Sequence, residues 1–208
     1  MVRLMIYCEG ETEETFVNNI LIPHLSGLGV YASAHPCRGV SKYNRIKKDI
    51  TALCRDFKDG YVTTMLDYYG LPSDTPGIDR KDRDIYSMID GIENDIGSDI
   101  GKKNFIPNLM LHEFEALLFS CPECFEYCGL DDRAINYLKN IVEDFDTPEH
   151  INNNPNTAPS KRILALYGGY SKPIDGYNIA KNIGLNRMRS ECRHFDAWIR
   201  KLESLGTE

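Results

Sequence analysis

The chain has 208 residues, 42% hydrophobic and 26% charged, with a net charge of −7. That describes an ordinary globular α/β protein, long enough for one sizeable domain, and argues against both disorder and the bulk electrostatic coating of nucleic acid. No apolar run approaches the roughly 18–20 residues that span a bilayer, the N-terminus enters a strand without a secretory signal, and seven cysteines then suit reduced thiols, so a cytoplasmic protein with no membrane partner is expected. The charge is uneven. From Pro159 on there are nine Lys and Arg against five Asp and Glu, and before it 15 against 26. An acidic first part beside a basic C-terminal part fits a carboxylate cluster next to an anion-receiving surface, although random surface variation explains it equally.

Taken in chain order, Val2 to Cys8 reads as a buried strand, and Gly10 in Glu9-Gly10-Glu11-Thr12-Glu13 lets the chain turn out of it. Thr12 can cap a helix whose apolar positions are Phe16, Val17, Ile20 and Leu21, and Pro23 to Gly29 reads as a break. Val30 to Ala34 is a short second strand, and Ser41 to Phe57 is helical, with Tyr43, Ile46, Ile50, Leu53, Cys54 and Phe57 on one face. Tyr61 to Asp67 is a β-branched third strand, followed by a Gly- and Pro-rich loop and a helix near Arg80–Ile96. Phe105 to Leu111 is the fourth strand and runs into His112-Glu113-Phe114-Glu115. The remainder is mainly helical: Asp131 to Phe145, a polar loop over Asn152–Thr157, a helix over Ser160–Tyr167 with Ser160 as its cap, and two or three short helices to Leu205. Strand–helix alternation of this kind predicts an α/β fold with a largely parallel, three-layer sheet, the core over 1–150 and a helical extension over 151–208 completing the same domain.

Three strands end at Glu9, Asp67 and Glu113. Strand ends of an open α/β sheet are where ligands bind. Carboxylates there suit Mg²⁺ or Mn²⁺, hard cations that take oxygen ligands and keep waters for a phosphate. Each acid singly could equally cap a helix or face water. Position 116 is Ala, so His112-Glu113 is not the start of a His-Glu-x-x-His zinc helix, and Glu115 is the alternate ligand to Glu113. Cys121, Cys124 and Cys128 resemble half of a zinc site, with free cysteines the commoner explanation. Lys161 and Arg162 stand at a helix start, against the helix dipole, a placement that suits a bound phosphate or a merely solvated pair.

Glu9-Gly10-x-Thr12-Glu13, Leu66-Asp67-Tyr68-Tyr69-Gly70-Leu71-Pro72, His112-Glu113-Phe114-Glu115-Ala116-Leu117-Leu118-Phe119, Ala158 to Arg162 and Cys192-x-His194-Phe195-x-x-Trp198 together resemble the bacterial DUF4276 family. That family is similar to the TOPRIM-like domains of OLD-type nucleases, which work beside ABC-type ATPases in defence against phage. The resemblance implies a Rossmann-like, TOPRIM-like sheet, divalent metal and phosphodiester cleavage of DNA or RNA. It implies Glu9 as general base or metal ligand, Asp67 as the first acid of an Asp-x-Asp motif, Glu113 or Glu115 as a later acid, and Lys161 as the cation at the transition state. One departure is visible: Tyr69 stands where TOPRIM enzymes have their second Asp, with Asp74 the nearest replacement. The sequence therefore supports a metal-dependent nuclease first, with Arg162 assisting Lys161. A non-catalytic subunit docking on an ATPase comes second. A nucleotide-directed enzyme comes third, weakened by the lack of a Gly-x-x-x-x-Gly-Lys phosphate loop.

Overall fold

Apolar runs at the N-terminus and centre of the chain form the spine of a parallel sheet in the computed structural model, which describes residues 1–37, 42–152 and 157–207. The strands are β1 (Val2–Cys8), β2 (Val30–Pro36), β3 (Gly60–Asp67), β4 (Phe105–Ile106) and β5 (Leu109–Met110). Their order is β2-β1-β3-β4, with β5 also on β3, and every pairing is parallel. The expected start of the second helix at Ser41 and much of the loop over Asn152–Thr157 lie outside the described residues.

The α/β expectation holds, and the sheet is covered on both faces. Successive residues of β3 point to opposite sides. Thr63 receives the indole N–H of Trp198 at 3.0 Å, whereas Thr64 and Leu66 lie with Tyr43, Ile46, Ile50 and Ile96. On β1, Tyr7 pairs with Thr64 in register and donates its hydroxyl to Asp49 at 3.0 Å. The Thr64 face therefore carries the helices over Tyr43–Asp56 and Ile85–Ile100, and the Thr63 face carries the C-terminal helix.

The first helical run differs from expectation. It comprises α1 (Glu11–Phe16), a π-helical turn (Val17–Leu21) and α2 (Ile22–Ser26), so Pro23 does not break it. Proline lacks the N–H that an α-helical bond would use, and a widened turn ahead of it removes that demand. Gly10, not Thr12, holds the cap position. Glu13 reaches back to accept the Gly10 N–H at 2.9 Å, the return half of a capping box.

Beyond β2 come α3 (Tyr43–Asp56) and α4 (Ile85–Ile100). The latter begins five residues later than Arg80, because the Asp84 carboxylate accepts the N–H groups of Tyr86 and Ser87 at 3.0 and 3.1 Å and fixes the start there. Arg80 belongs to the preceding loop and forks onto Asp95 of α4 at 2.8 and 3.1 Å. The expected fourth strand is two short pieces. Between them Pro107 offers no N–H, and Asn108 exchanges three hydrogen bonds with Thr64 at 2.6, 3.0 and 3.0 Å in place of ladder bonds.

Two compact units are distinguished: 1–110 together with 198–208, and 111–197. The second unit holds 3-10 turns over Phe114–Ser120 and Pro122–Cys128, then α5 (Asp132–Glu143), a 3-10 turn at Pro148–His150, and α6 (Pro159–Leu166). A π turn (Lys172–Gly176), α7 (Tyr177–Ile183) and α8 (Leu185–Glu191) follow. The last helix, α9 (Arg193–Ser204), begins in the second unit and continues into the first. Buried Glu149 accepts the N–H groups of His194 and Phe195 at 3.1 and 2.9 Å, closing the N-terminus of α9. No helix among the described residues is long and apolar enough to cross a membrane.

Candidate acidic site at the strand ends

In the first unit, β1 and β3 run side by side, so Glu9 and Asp67 arrive at the same edge of the sheet. The Glu9 N–H donates to the Met65 carbonyl at 3.1 Å, extending the pairing one residue past β1. The Glu9 carboxylate then turns to accept the backbone N–H of Asp67 at 2.9 Å. Asp67 is 7% exposed. The loop leaving β3 closes over this carboxylate. A Cβ built on Gly70 would lie 2.6 Å from both Glu9 oxygens, so a glycine is what lets the backbone approach so near. Cys37 donates its thiol to the Glu9 carbonyl at 3.0 Å. Beside them Tyr68 and Tyr69 form a short 3-10 turn with rings 5.6 Å apart, and Tyr69 is 44% exposed. Asp74 is directed to the start of α3, where it accepts the Tyr43 N–H at 2.9 Å.

In the second unit, Glu113 and Glu115 flank Phe114 at the opening of the first 3-10 turn. His112 precedes them with φ of +63°, and the Glu113 N–H donates to Leu111 O at 2.9 Å across it. A three-residue turn with a positive central φ is rare and strained for a non-glycine residue. His112 is buried, and that burial, with His150 nearby, pushes its imidazole down to about 4. Glu115 is 1% exposed. Burial raises its carboxyl above the ordinary range, although Lys172, with Nζ at 3.0 Å, opposes the shift. Buried Tyr170 belongs to the same neighbourhood: burial, then the charge of Glu115, pushes its phenol up.

Glu113 accepts the backbone N–H of Ser160 at 3.0 Å, at the N-terminus of α6. Ser160 lies inside the helix and not at its cap, which is Ala158. A carboxylate from within the chain thus occupies part of the anion-receptive helix end beside Lys161 and Arg162. Lys161 is exposed. Arg162 is engaged: its Nε donates to Thr157 O at 2.7 Å, and its guanidinium lies 5.7 Å from the Phe145 ring.

Zinc ligation by the cysteine motif is not what the geometry shows. Cys121 and Cys124 are adjacent, but the Cys128 thiol is directed to Asp175 O at 3.9 Å, and Cys192 lies 3.6 Å from the Ser120 hydroxyl. Among the described residues, no group of three or more His, Cys, Asp or Glu is assembled to hold a metal. Glu9 and Asp67 remain a pair of hard oxygen donors. That fits an ion needing one or two carboxylates and otherwise water, such as Mg²⁺, and not a closed protein cage. Glu13 and His112 entered the sequence reading only as members of motifs, without these roles, and Tyr170 and Lys172 not at all. The Glu three places after Gly10 could have revealed the first; nothing in the sequence marks a positive φ at His112 or brings Lys172 to Glu115.

No match was found among curated proteins. The chain is similar to solved structures of the C-terminal region of the OLD protein of Xanthomonas campestris pv. campestris. One, phased with iodine, shows 16% identity and a TM-score of 0.46, covering 96% of this chain and 97% of that one. Another, phased with platinum, shows 17% identity and a TM-score of 0.44, covering 100% and 98%. A family model described as domain of unknown function DUF4276 matches residues 8–203. The chain belongs to the DUF4276 family.

Proposed function

We propose that the chain is a Mg²⁺- or Mn²⁺-dependent nuclease hydrolysing phosphodiester bonds of DNA or RNA, acting beside an ABC-type ATPase in defence against phage. The observation that carries this reading is the placement of Glu9 and buried Asp67 at the same edge of adjacent parallel strands, 2.9 Å from carboxylate to backbone. These two would hold the ion, and a divalent ion there supplies Lewis-acid polarisation of the phosphate and a bound water of lowered pKa. Glu9 is suited to accept a proton from an attacking water, since it reaches the strand edge while the chain around it is fixed. In the second unit, exposed Lys161 is a cation suited to a phosphate oxygen, and Arg162, tied to Thr157 O, supports the turn before it. Glu113 and Glu115 are the oxygen donors of the second unit, where they already meet the Ser160 N–H and Lys172. Tyr69 offers a face on which a base could stack.

The test is cleavage of supercoiled plasmid, single-stranded DNA and total tRNA with Mg²⁺ or Mn²⁺. Glu9→Gln keeps an oxygen for the Asp67 N–H, so it should fold, yet lose about 100-fold or more of the activity; Asp67→Asn should do the same. Full activity in both variants removes this assignment of the acids.

A non-catalytic ATPase-docking subunit is the second reading. It is favoured by the same carboxylate: accepting a backbone N–H and packed on Gly70, Glu9 also acts as a staple between strand ends. A wild-type protein inert on every substrate, with no binding of Mn²⁺ in solution, supports that reading.

A further inference from the structure

The segment Cys121-Pro122-Glu123-Cys124 takes no part in the acidic site, yet it brings two thiols together. The Cys124 N–H donates to Cys121 O at 3.0 Å, opening the 3-10 turn of Pro122–Cys128. Side chains three apart eclipse one another in a 3-10 helix, so the Cys-x-x-Cys spacing sets both sulfurs on one side, with Sγ atoms 2.7 Å apart. Cys121 is partly exposed and Cys124 is buried at its base. An open cleft of about 270 Å³, lined by Ser120, Pro122, Glu123, Lys139 and Arg187 among others, adjoins the turn. Lys139 is held to Glu123 at 2.8 Å, the Glu123 carboxylate lies 3.8 Å from the Cys121 sulfur, and Arg187 donates to Ser120 O at 3.2 Å, so charges of both signs stand beside the pair.

We propose that Cys121 and Cys124 are a dithiol–disulfide couple, reversibly oxidised by small-molecule disulfides that enter from this cleft. The accessible Cys121 gives up its proton and its thiolate attacks one sulfur of the small disulfide, breaking that S–S bond and releasing one thiolate, which takes up the proton. Cys124 then loses its proton and attacks Sγ of Cys121, expelling the second small thiol. Two cysteine thiols are oxidised by two electrons, and the small disulfide is reduced to two thiols. Burial and the Cys121 sulfur push the Cys124 thiol up to about 12, so the first attack falls to Cys121. Cys128 is excluded by its direction toward Asp175 O.

The experiment equilibrates the native full chain in glutathione buffers from fully reduced to fully oxidised, then quenches with acid, alkylates with iodoacetamide and analyses the tryptic peptide 104–133, which carries Cys121, Cys124 and Cys128. The expected result is loss of two alkylation sites, mapped by fragmentation to Cys121 and Cys124, and full restoration by dithiothreitol. Cys128→Ser should behave as wild type. Cys121→Ser should abolish the internal bond, and Cys124→Ser should trap one glutathione on Cys121. Two thiols that stay alkylated in the most oxidising buffer, or a bond that uses Cys128, overturns the proposal.

Discussion

Gly70 and Glu9 show how one missing side chain can set the position of another. A Cβ at position 70 would meet both Glu9 oxygens at 2.6 Å, and these oxygens sit at the flexible end of the side chain. Gly70→Ala should therefore displace the carboxylate without rupturing the backbone, losing the bond to the Asp67 N–H. A charge-assisted hydrogen bond of this kind contributes about 1.5–3 kcal/mol, so a loss in that range should appear as a lower urea midpoint. In a Glu9→Ala background the same substitution should cost little, since the group it displaces is gone. An equal cost in both backgrounds places the conflict elsewhere. At His112 the strain lies in the backbone. With φ at +63°, a left-handed residue with a Cβ carries about 1–2 kcal/mol that glycine does not. His112→Gly should accordingly be more stable than His112→Ala by about 1 kcal/mol in chemical denaturation, because both lose the ring and differ only in the Cβ. Equal stability of the two variants means that the turn is relaxed.

At the scale of elements, α9 and α3–α4 are fixed by different kinds of contact. Trp198 lies 2% exposed over the sheet and donates to a fully buried Thr63. Trp198→Phe withdraws that donor from a dry site and removes part of the ring, with about 1–3 kcal/mol for the polar part alone; adding Thr63→Val should recover some of it, and a double-mutant cycle reads the coupling. Lys47 of α3 meets Asp99 of α4 at 2.7 Å and holds its carboxyl below the ordinary range. A carboxylate so depressed stabilises the fold above its unfolded pKa of about 3.9, and the contribution disappears as pH falls through the folded value. Both partners are about a third exposed, so solvent screening keeps the effect under about 1 kcal/mol. Asp99→Asn should flatten the acid limb of the stability–pH curve by that amount and no more. Elements governed by local pattern were legible: β1 and β3 as apolar runs ending in carboxylates, α3 as a six-residue apolar face. What escaped depended on single hydrogen bonds and turns that periodicity does not report. Asn108 bonding Thr64 splits β4 from β5, Asp84 moves the start of α4, and a π turn carries the first helix past Pro23. The same holds at the site. Glu9 and Asp67 could be placed at strand ends from periodicity, while the Glu115–Lys172 pair needed the fold to bring position 172 to position 115.

For the whole molecule, the acids are distributed over two units: Glu9 and Asp67 in one, Glu113 and Glu115 in the other. A divalent ion that binds only the folded chain stabilises it by mass action, about 2.7 kcal/mol when its concentration is 100 times its dissociation constant. If Glu9 and Asp67 hold Mn²⁺, saturating Mn²⁺ should raise the melting temperature, and chelator should reverse it. Hydrogen exchange can say where. The amides from Cys8 to Gly10 and from Leu66 to Gly70 should gain protection, because these backbones carry the two carboxylates and the glycine packed on them. Protection at Leu111–Glu115 is read independently and reports on Glu113 and Glu115 by themselves. Glu9→Gln should abolish the melting shift together with the protection at both strand ends, while its stability in chelator falls by only about 1 kcal/mol, because the amide still accepts the Asp67 N–H without the charge. A Mn²⁺ shift that survives Glu9→Gln unchanged would instead mean that the ion binds elsewhere on the chain, and that Glu9 serves only to join β1 to β3.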